Sequence, residues 1–288
     1  MLGPHVVGRR VVVRRLVRGE TGPTGGPAFT DLLGTCLRWA DGVCEIQGEV
    51  GEPVRIPLAD IVSGKPVPPR PAVRLRVSPR EAQERAMALW TDLETERLGA
   101  WVLRHSPTAT ARRANSVLAF EPAGVADGYD RVVAWYAART GRPIAAVLPG
   151  SPEEAVFRDR GWGPESSDAD TVFQVAGVAR ARRALGGVPL GDVEVDEDGA
   201  QAVARIGAHA SGVASVDGDW VGFRSIVVDP SYRRQGLGLR LMAALLEWGA
   251  ERGATTAYLQ VLGDNVPALA LYEGLGFTEH HRYRYLAP

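Results

Sequence analysis

Ile226-Val227-Val228-Asp229-Pro230-Ser231-Tyr232-Arg233-Arg234-Gln235-Gly236-Leu237-Gly238-Leu239 decides how this chain is read. The β-branched residues end a strand, and Asp-Pro breaks it. A helix is predicted over about 234–252, with Leu237, Leu241 and Leu245 at i, i+4 spacing on one face and Gly253 as its stop. At such a junction the first-turn amides have no intrahelical partner. They point outward at the positive end of the helix dipole, where a pyrophosphate can bind. Gly236 and Gly238 remove side chains that would hold phosphate oxygens off the backbone. Arg233 and Arg234 add fixed positive charge. Strand–Gly–helix turns also serve tight packing in α/β proteins, so the turn needs its context. A dinucleotide-binding Rossmann turn is excluded: Leu241 stands where the third glycine is needed, and no acidic residue ends the next strand, 257–262.

Around this turn the last segment, 190–288, reads as strands at 193–195 and 202–206 and a hairpin turning at Asp217-Gly218-Asp219 into a strand over 220–228. After 257–262, Asn265-Val266-Pro267 opens a second helix that ends near Gly274 to Gly276, and 281–286 closes the sheet. The middle segment, 72–185, has a similar rhythm. It reads as a strand at 73–77, a helix from Ser78-Pro79 to about Arg97, paired strands at 101–103 and 116–120, and a helix over 127–140. A strand at 144–148, a short helix at 152–159 and a strand at 171–178 complete it. The two could be diverged halves of one tandem repeat. The first segment, 1–70, has short strands around Val11–Val13, Leu32–Trp39, Val43–Gln47 and Val54–Ile56, punctuated by Asp41-Gly42 and Gly51-Glu52-Pro53. That pattern suggests a small antiparallel barrel. Thr21–Pro27 reads as a loop, and Val67-Pro68-Pro69-Arg70-Pro71 as a stiff polyproline linker.

Bulk composition narrows the classes. A chain of 288 residues predicts two or three domains, and 45% hydrophobic residues allow a sizeable core. A net charge of −1 gives no overall pull toward nucleic acid or anionic membrane. Lys65 is the only lysine, and it lies outside any Walker pattern. Cys36 and Cys44 flank the Asp41-Gly42 turn and read as free thiols of a reducing cytoplasm. No apolar stretch reaches the ~20 residues of a membrane span, and the N-terminus lacks the apolar run of a signal peptide.

Arg233-x-x-Gly236-x-Gly238 after a strand ending Val-Asp-Pro resembles motif A of the GNAT superfamily, the GCN5-related N-acetyltransferases. Leu259-Gln260-Val261-x-x-x-Asn265-x-x-Ala268-x-x-Leu271-Tyr272-x-x-x-Gly276-Phe277 resembles its motif B, in the right order and spacing. The first segment and the middle one, with Arg113-Ala114-Asn115-Ser116-Val117, are similar to tandem GNAT proteins carrying an SH3-like barrel. The resemblance implies an α/β fold of the mixed α+β kind: an SH3-like β-barrel over 1–70, a degenerate GNAT-like half over 72–185, and an acetyl-CoA-binding half over 190–288. It implies that Ile226, Val227 and Val228 offer backbone groups to pantetheine, and that Arg233 and the run Arg234, Gln235, Gly236, Leu237, Gly238 and Leu239 hold the pyrophosphate. Asn265 would bond the pantetheine or cap its helix. Tyr272 would be the general acid returning a proton to the CoA thiolate, and the Val228 N–H the oxyanion donor. No metal is implied.

The pattern is broken at two places. Some relatives carry a glutamate base where Gln260 stands; Asp217, Asp219, Glu194 and His209 are alternatives that spacing does not place. A full GNAT unit has two helices between its first strands, but Asp196-Glu197-Asp198-Gly199 reads as a hairpin turn, and 177–192 is too short for a strand and two helices of about eight residues each. The acceptor pocket would then be borrowed from the middle segment or a second subunit, or be lost. The leading expectation is a cytoplasmic N-acetyltransferase with one acetyl-CoA site and an unknown amine acceptor, since Glu121-Pro122-Ala123-Gly124 replaces motif A in the middle segment. A homodimer is left open. Neither membrane nor nucleic acid is expected as a partner. The alternatives are a non-catalytic acyl-CoA sensor and a barrel that binds protein or nucleic acid through Arg9, Arg10, Arg14 and Arg15.

Overall fold

In β1 (Arg10–Thr21) Val11 and Val13 are buried while Val12 between them is half-buried, the period-two signature of a strand with one face inward. A computed structural model describes residues 2–22, 25–48, 51–67, 73–139 and 142–288, and it divides into two units, Met1–Pro71 and Ala72–Pro288. Of the expected linker, 67–71, all but Val67 lies outside the described residues.

In the first unit β1 is followed by β2 (Pro27–Ala40), β3 (Val43–Gln47), β4 (Val54–Pro57) and β5 (Ile61–Pro66). They pair antiparallel in the order β4-β3-β2-β1-β5. Asp41 and Gly42, at φ 53° and 74°, make the two-residue turn between β2 and β3. Cys36 and Cys44 are buried with Val6, Ile46 and Ile56; their sulfurs lie 3.9 Å apart as free thiols. The closed barrel is not what is found. After the four residues of β4 a 3-10 turn, Leu58–Asp60, leads into β5, and among the described residues β4 and β5 share no ladder, so the sheet is open.

The second unit runs α1 (Pro79–Arg85), β6 (Glu94–Leu98), β7 (Trp101–His105), β8 (Val117–Ala119), α2 (Gly128–Ala137), β9 (Ala145–Val147), α3 (Pro152–Arg158), β10 (Gly163–Pro164) and β11 (Thr171–Gly177). It continues with α4 (Val178–Ala184), β12 (Glu194–Asp198), β13 (Gln201–Ile206), β14 (Ala210–Asp217), β15 (Trp220–Val228), α5 (Leu237–Glu251), β16 (Thr256–Leu262), α6 (Val266–Gly274) and β17 (Thr278–Ala287). The strands lie in the order β12-β13-β14-β15-β16-β11-β17-β9-β8-β7-β6, with β10 beside β17. The same motif appears twice: antiparallel neighbours, a helical crossover, then a parallel pair, β8 with β9 and β15 with β16.

Two expectations fail here. The helix from Ser78 does not reach Arg97. Ser78 caps it by accepting from the Glu81 N–H, it tightens to a 3-10 turn at Ala86–Leu89, and 94–98 instead pairs with 101–105 as a hairpin. Gly99 forces that hairpin: its φ is 61°, and a Cβ there would sit 1.7 Å from the Ala123 carbonyl oxygen. Nor is 73–77 a strand. Val73–Leu75 is a 3-10 turn, and the Val77 carbonyl accepts from His280 rather than from a ladder.

The two runs of strands interlock. β11, expected to close the middle segment, is inserted between β16 and β17, and all seven of its residues are buried. β17 pairs β11 through its first half and β9 through Arg284–Leu286. One face of the β13–β16 sheet is covered by α5, whose Leu241 and Leu245 are fully buried, each contributing about 1.5–3 kcal/mol. The other face is covered by α1 and the turn after it, through Ala82, Ala86 and Leu89 against Trp220, Phe173 and Tyr258.

Candidate active site

The parallel ladder between β15 and β16 ends at Phe223 and Leu259. Beyond it β15 runs on to Val228 and β16 to Leu262 without pairing each other. On its other edge β15 bulges against β14: two residues, Ser225 and Ile226, oppose Gly212, and Ser225 sits at φ 52°. A Cβ on Gly212 would lie 2.5 Å from Ile226 Cδ1, so a side chain there would have to displace the end of Ile226. The consequence is a cleft between the ends of β15 and β16, with Ile226 and Val228 packed toward α5.

At the mouth of this cleft the chain turns into α5. Arg234 at φ 64° and Gly236 at φ 78° are both left-handed. The helix therefore begins at Leu237, three residues later than the sequence predicts, because neither conformation is helical. Among the described residues no acceptor faces the backbone N–H groups from Arg234 to Leu239. Unpartnered first-turn amides at a helix N-terminus are able to donate to an anion. A Cβ at Gly238 would meet Val228 Cγ2 and Leu271 Cδ1 at 3.9 and 4.0 Å, ordinary contacts, so internal packing does not demand glycine there. Gln235 and Leu237 complete the turn, and Leu239 packs on the core below it. Arg233 and Arg234 are exposed; Arg233 Nε reaches back to the Val228 carbonyl at 3.4 Å.

On α6, Tyr272 packs against the same core as Val228 and edges onto Phe277, with ring centroids 5.8 Å apart. Among the described residues its hydroxyl has no hydrogen-bond partner, and burial raises its pKa, so it stays protonated at neutral pH. Asn265 caps α6 by accepting from Ala268 N–H at 3.3 Å; its amide nitrogen is left to donate elsewhere.

Gln260 lies on the α1 face and is tied into a buried hydrogen-bond network. Its Oε1 accepts from the Tyr283 hydroxyl and, at 3.5 Å, from Gln83 Nε2; its carbonyl accepts from Arg113 at 3.3 Å. His280 Nε2 faces the Val77 carbonyl at 2.9 Å and so donates. His280 Nδ1 then accepts from His281 Nδ1 at 2.8 Å, and His281 Nε2 accepts from Gln83 Nε2 at 3.1 Å. Directions throughout require both histidines neutral. Burial, reinforced by His280, lowers the His281 pKa to about 3.

Three of the four alternative base candidates stand apart from this cleft, and the fourth, His209, lies beside the end of β15, its carbonyl accepting from the Asp229 N–H at 2.8 Å. Asp217 and Asp219 flank the start of β15, about 26 Å of strand from Val228, and Asp219 bonds Thr255. Glu194 aligns with Val227 but three strands away, about 14 Å. His209 stacks on Tyr232 at 3.8 Å. What sequence reasoning missed is the roof. Ser215, Gln201 and Arg224 donate to the carbonyls of Ala88 and Leu89, and the Tyr258 hydroxyl to that of Arg85. Only the unpaired helix-end carbonyls of 85–89 could have signalled it, and local spacing does not say where they go.

The family described as "Probable histone acetyltransferase Rv0428c C-terminal" matches residues 164–286. The Mycobacterium tuberculosis protein named probable histone acetyltransferase Rv0428c is 29% identical over 298 residues, covering 97% of this chain and 95% of the relative. A mycothiol acetyltransferase of Amycolatopsis mediterranei is 36% identical over 156 residues, 49% of this chain and 48% of the relative. A GCN5-related N-acetyltransferase from Kribbella flavida shares the fold, with a TM-score of 0.52 at 17% identity over 76% of this chain and 96% of that one. Residues of motifs A and B lie on the two sides of one cleft, and these likenesses support an acetyltransferase that is similar in fold to a GCN5-related N-acetyltransferase.

Proposed function

We propose that the chain transfers an acetyl group from acetyl-CoA to an amine by direct attack, using one CoA site per chain at 226–239. The observation that carries this is the run of acceptor-free amides from Arg234 to Leu239, opening onto a cleft that β15 and β16 leave unpaired. Acetyl-CoA would supply an activated acyl carbon. Arg233, Arg234, Gln235, Gly236, Leu237, Gly238 and Leu239 would hold its pyrophosphate, and the backbone of Ile226 and Val227 its pantetheine, with Asn265 alongside. The Val228 N–H would stabilise charge growing on the carbonyl oxygen. Tyr272, kept protonated by burial, would return a proton to the leaving sulfur. Gln260 cannot serve as a base, so the amine reaches the site as the free base or gives its proton to water.

The middle segment would hold no second CoA. Where its own turn precedes α2, the carbonyls of Glu121 and Ala123 accept from Trp101 and Ala100, and a carboxylate, Asp127, sits at the helix start. The first unit is read as an SH3-like sheet on its strand order and its 3-10 turn before β5. Two free thiols suit a reducing cytoplasm, and no helix among the described residues is long and apolar enough to cross a membrane. Arg14 pairs with Asp31, which weakens a nucleic-acid role for the first unit. The test is calorimetry with acetyl-CoA, expected to give one site per chain, followed by thiol release with an amine panel. Two equivalent sites refute the single-site reading; tight binding with no release for any amine refutes transfer.

A further inference from the structure

Most arginines of the second unit face carboxylates: Arg80 with Glu84 and Glu121, Arg112 with Glu165 and Asp168, Arg284 with Asp170 and Glu154. Arg224 does not. It is one residue past the last β15–β16 pair, on the α1 face that also carries Gln260. Its Nε donates to the Leu89 carbonyl at 2.8 Å, and its guanidinium carbon lies 4.7 Å above the Trp90 ring. Among the described residues no carboxylate lies within ion-pair distance of it. Asp92 is the nearest in electrostatic effect, but its oxygens already accept from Ser106 and Thr108. Both Nη atoms of Arg224 are therefore left without a partner among the described residues, and they form the planar edge that binds a carboxylate in two-point fashion. Nearby, Arg113 is likewise held only by neutral groups, the Tyr283 hydroxyl and the Gln260 carbonyl.

A half-buried guanidinium fixed by a backbone carbonyl and an aromatic face is preorganised, so it loses little freedom on binding an anion. It also repels a cationic neighbour. Building on the transferase reading above, we propose that the acceptor is an amine that carries a carboxylate, and that Arg224, seated on Trp90, binds that carboxylate. Arg224 thus sets specificity against basic peptides. It precedes Val228 by four residues, at most about 13 Å of strand, which the bulge shortens. Amine and carboxylate of the acceptor would therefore lie within about 13 Å of each other, which calls for a panel of acids of different lengths.

The test compares glycine, β-alanine, γ-aminobutyrate and L-glutamate with their amides, and with a lysine-rich peptide, in wild type, Arg224→Gln and Arg224→Lys. Turnover is read as thiol release, and binding as titration of protein saturated with unreactive CoA. For at least one acid, kcat/KM or affinity should exceed that of its amide by 10- to 100-fold, a ratio that collapses in Arg224→Gln and partly returns in Arg224→Lys. Equal values for every acid and amide in wild type, a ratio unchanged in Arg224→Gln, or a preference for the lysine-rich peptide each overturn the proposal. Thermal melting guards against misfolding of the variants, and the wild-type ratio decides even if they fail to fold. Failure of CoA to bind, or of any amine to react, refutes the transferase reading; the acid-to-amide binding ratio still judges Arg224.

Discussion

Acid should unfold this protein partly through one imidazole. His281 is 8% exposed, stacked 4.8 Å from Phe173, and its Nε2 is committed as the acceptor of the Gln83 amide. Protonation would set two donors against each other in a site closed to water. Burial first, and the adjacent His280 second, lower its pKa from 6.5 to about 3. Above pH 6.5 the ring is neutral in folded and unfolded chains alike, so it adds no pH dependence. Between 6.5 and 3 the unfolded chain binds a proton that the folded chain refuses, so stability falls with pH; below 3 the loss levels off. At about 1.4 kcal/mol per tenfold, the loss is about 2 kcal/mol by pH 5 and at most about 5 kcal/mol at the plateau. Urea unfolding at pH 7 and pH 5 of wild type and His281→Gln measures it. The variant should be the less stable at pH 7, and the gap should narrow by about 2 kcal/mol at pH 5. Parallel profiles, or an NMR titration of the His281 ring with its midpoint near 6, would refute the reasoning.

Gly238→Ala should leave the melting temperature unchanged, since its Cβ meets only ordinary contacts, yet weaken CoA binding at least about tenfold by calorimetry, because the methyl would take up space between Val228 and Leu271, on the two sides of the cleft. Tyr272→Phe should lower kcat by roughly 10²–10⁴ with KM and melting temperature near wild type, as its hydroxyl has no partner among the described residues to lose; an unchanged kcat removes it as the acid. Gly222→Ala places a Cβ 2.1 Å from the Tyr258 ring and should cost about 3 kcal/mol or more in denaturant unfolding. A fragment of 190–288 alone should fail to give a dispersed NMR spectrum, because β16 and β17 meet only through β11.

Local features of the fold were legible, and long-range pairings were not. The face of α5, with Leu237, Leu241 and Leu245 at i, i+4 spacing, the start of α6 at Asn265 and most strand positions follow from periodicity and caps, which act within one turn or one pleat. The start of α5 was misjudged because Arg234 is a good helix former by propensity, whereas its observed φ is 64°. The helix expected to run to Arg97 failed because Thr95 and Glu96 face a partner strand that sequence order alone does not reveal. In the site, the glycines and Tyr272 were readable as a motif. Arg224, Gln83 and His281 were not, since they are joined by contacts spanning 135 and 198 residues.

The same interlocking explains how the front of the last segment can be short. β12 and β13 form a plain hairpin, so no helix arises there to cover the β14–β16 face. That face nonetheless carries Trp220 and Tyr258, whose burial needs a partner. α1 supplies it from more than a hundred residues earlier, and the helix-end carbonyls of Arg85, Ala88 and Leu89 are satisfied by side chains of β13–β16 instead of water. β11 then joins β16 to β17 with its whole length buried. Removing either element would expose aromatic surface and strip hydrogen bonds together, so the two runs of strands share one stability. The covering turn also brings Trp90 under Arg224 at the open end of the cleft. A change in the middle segment that shifts 86–90 should thus alter acceptor choice without touching the first-turn amides of α5, because the two sites lie on opposite faces of one sheet.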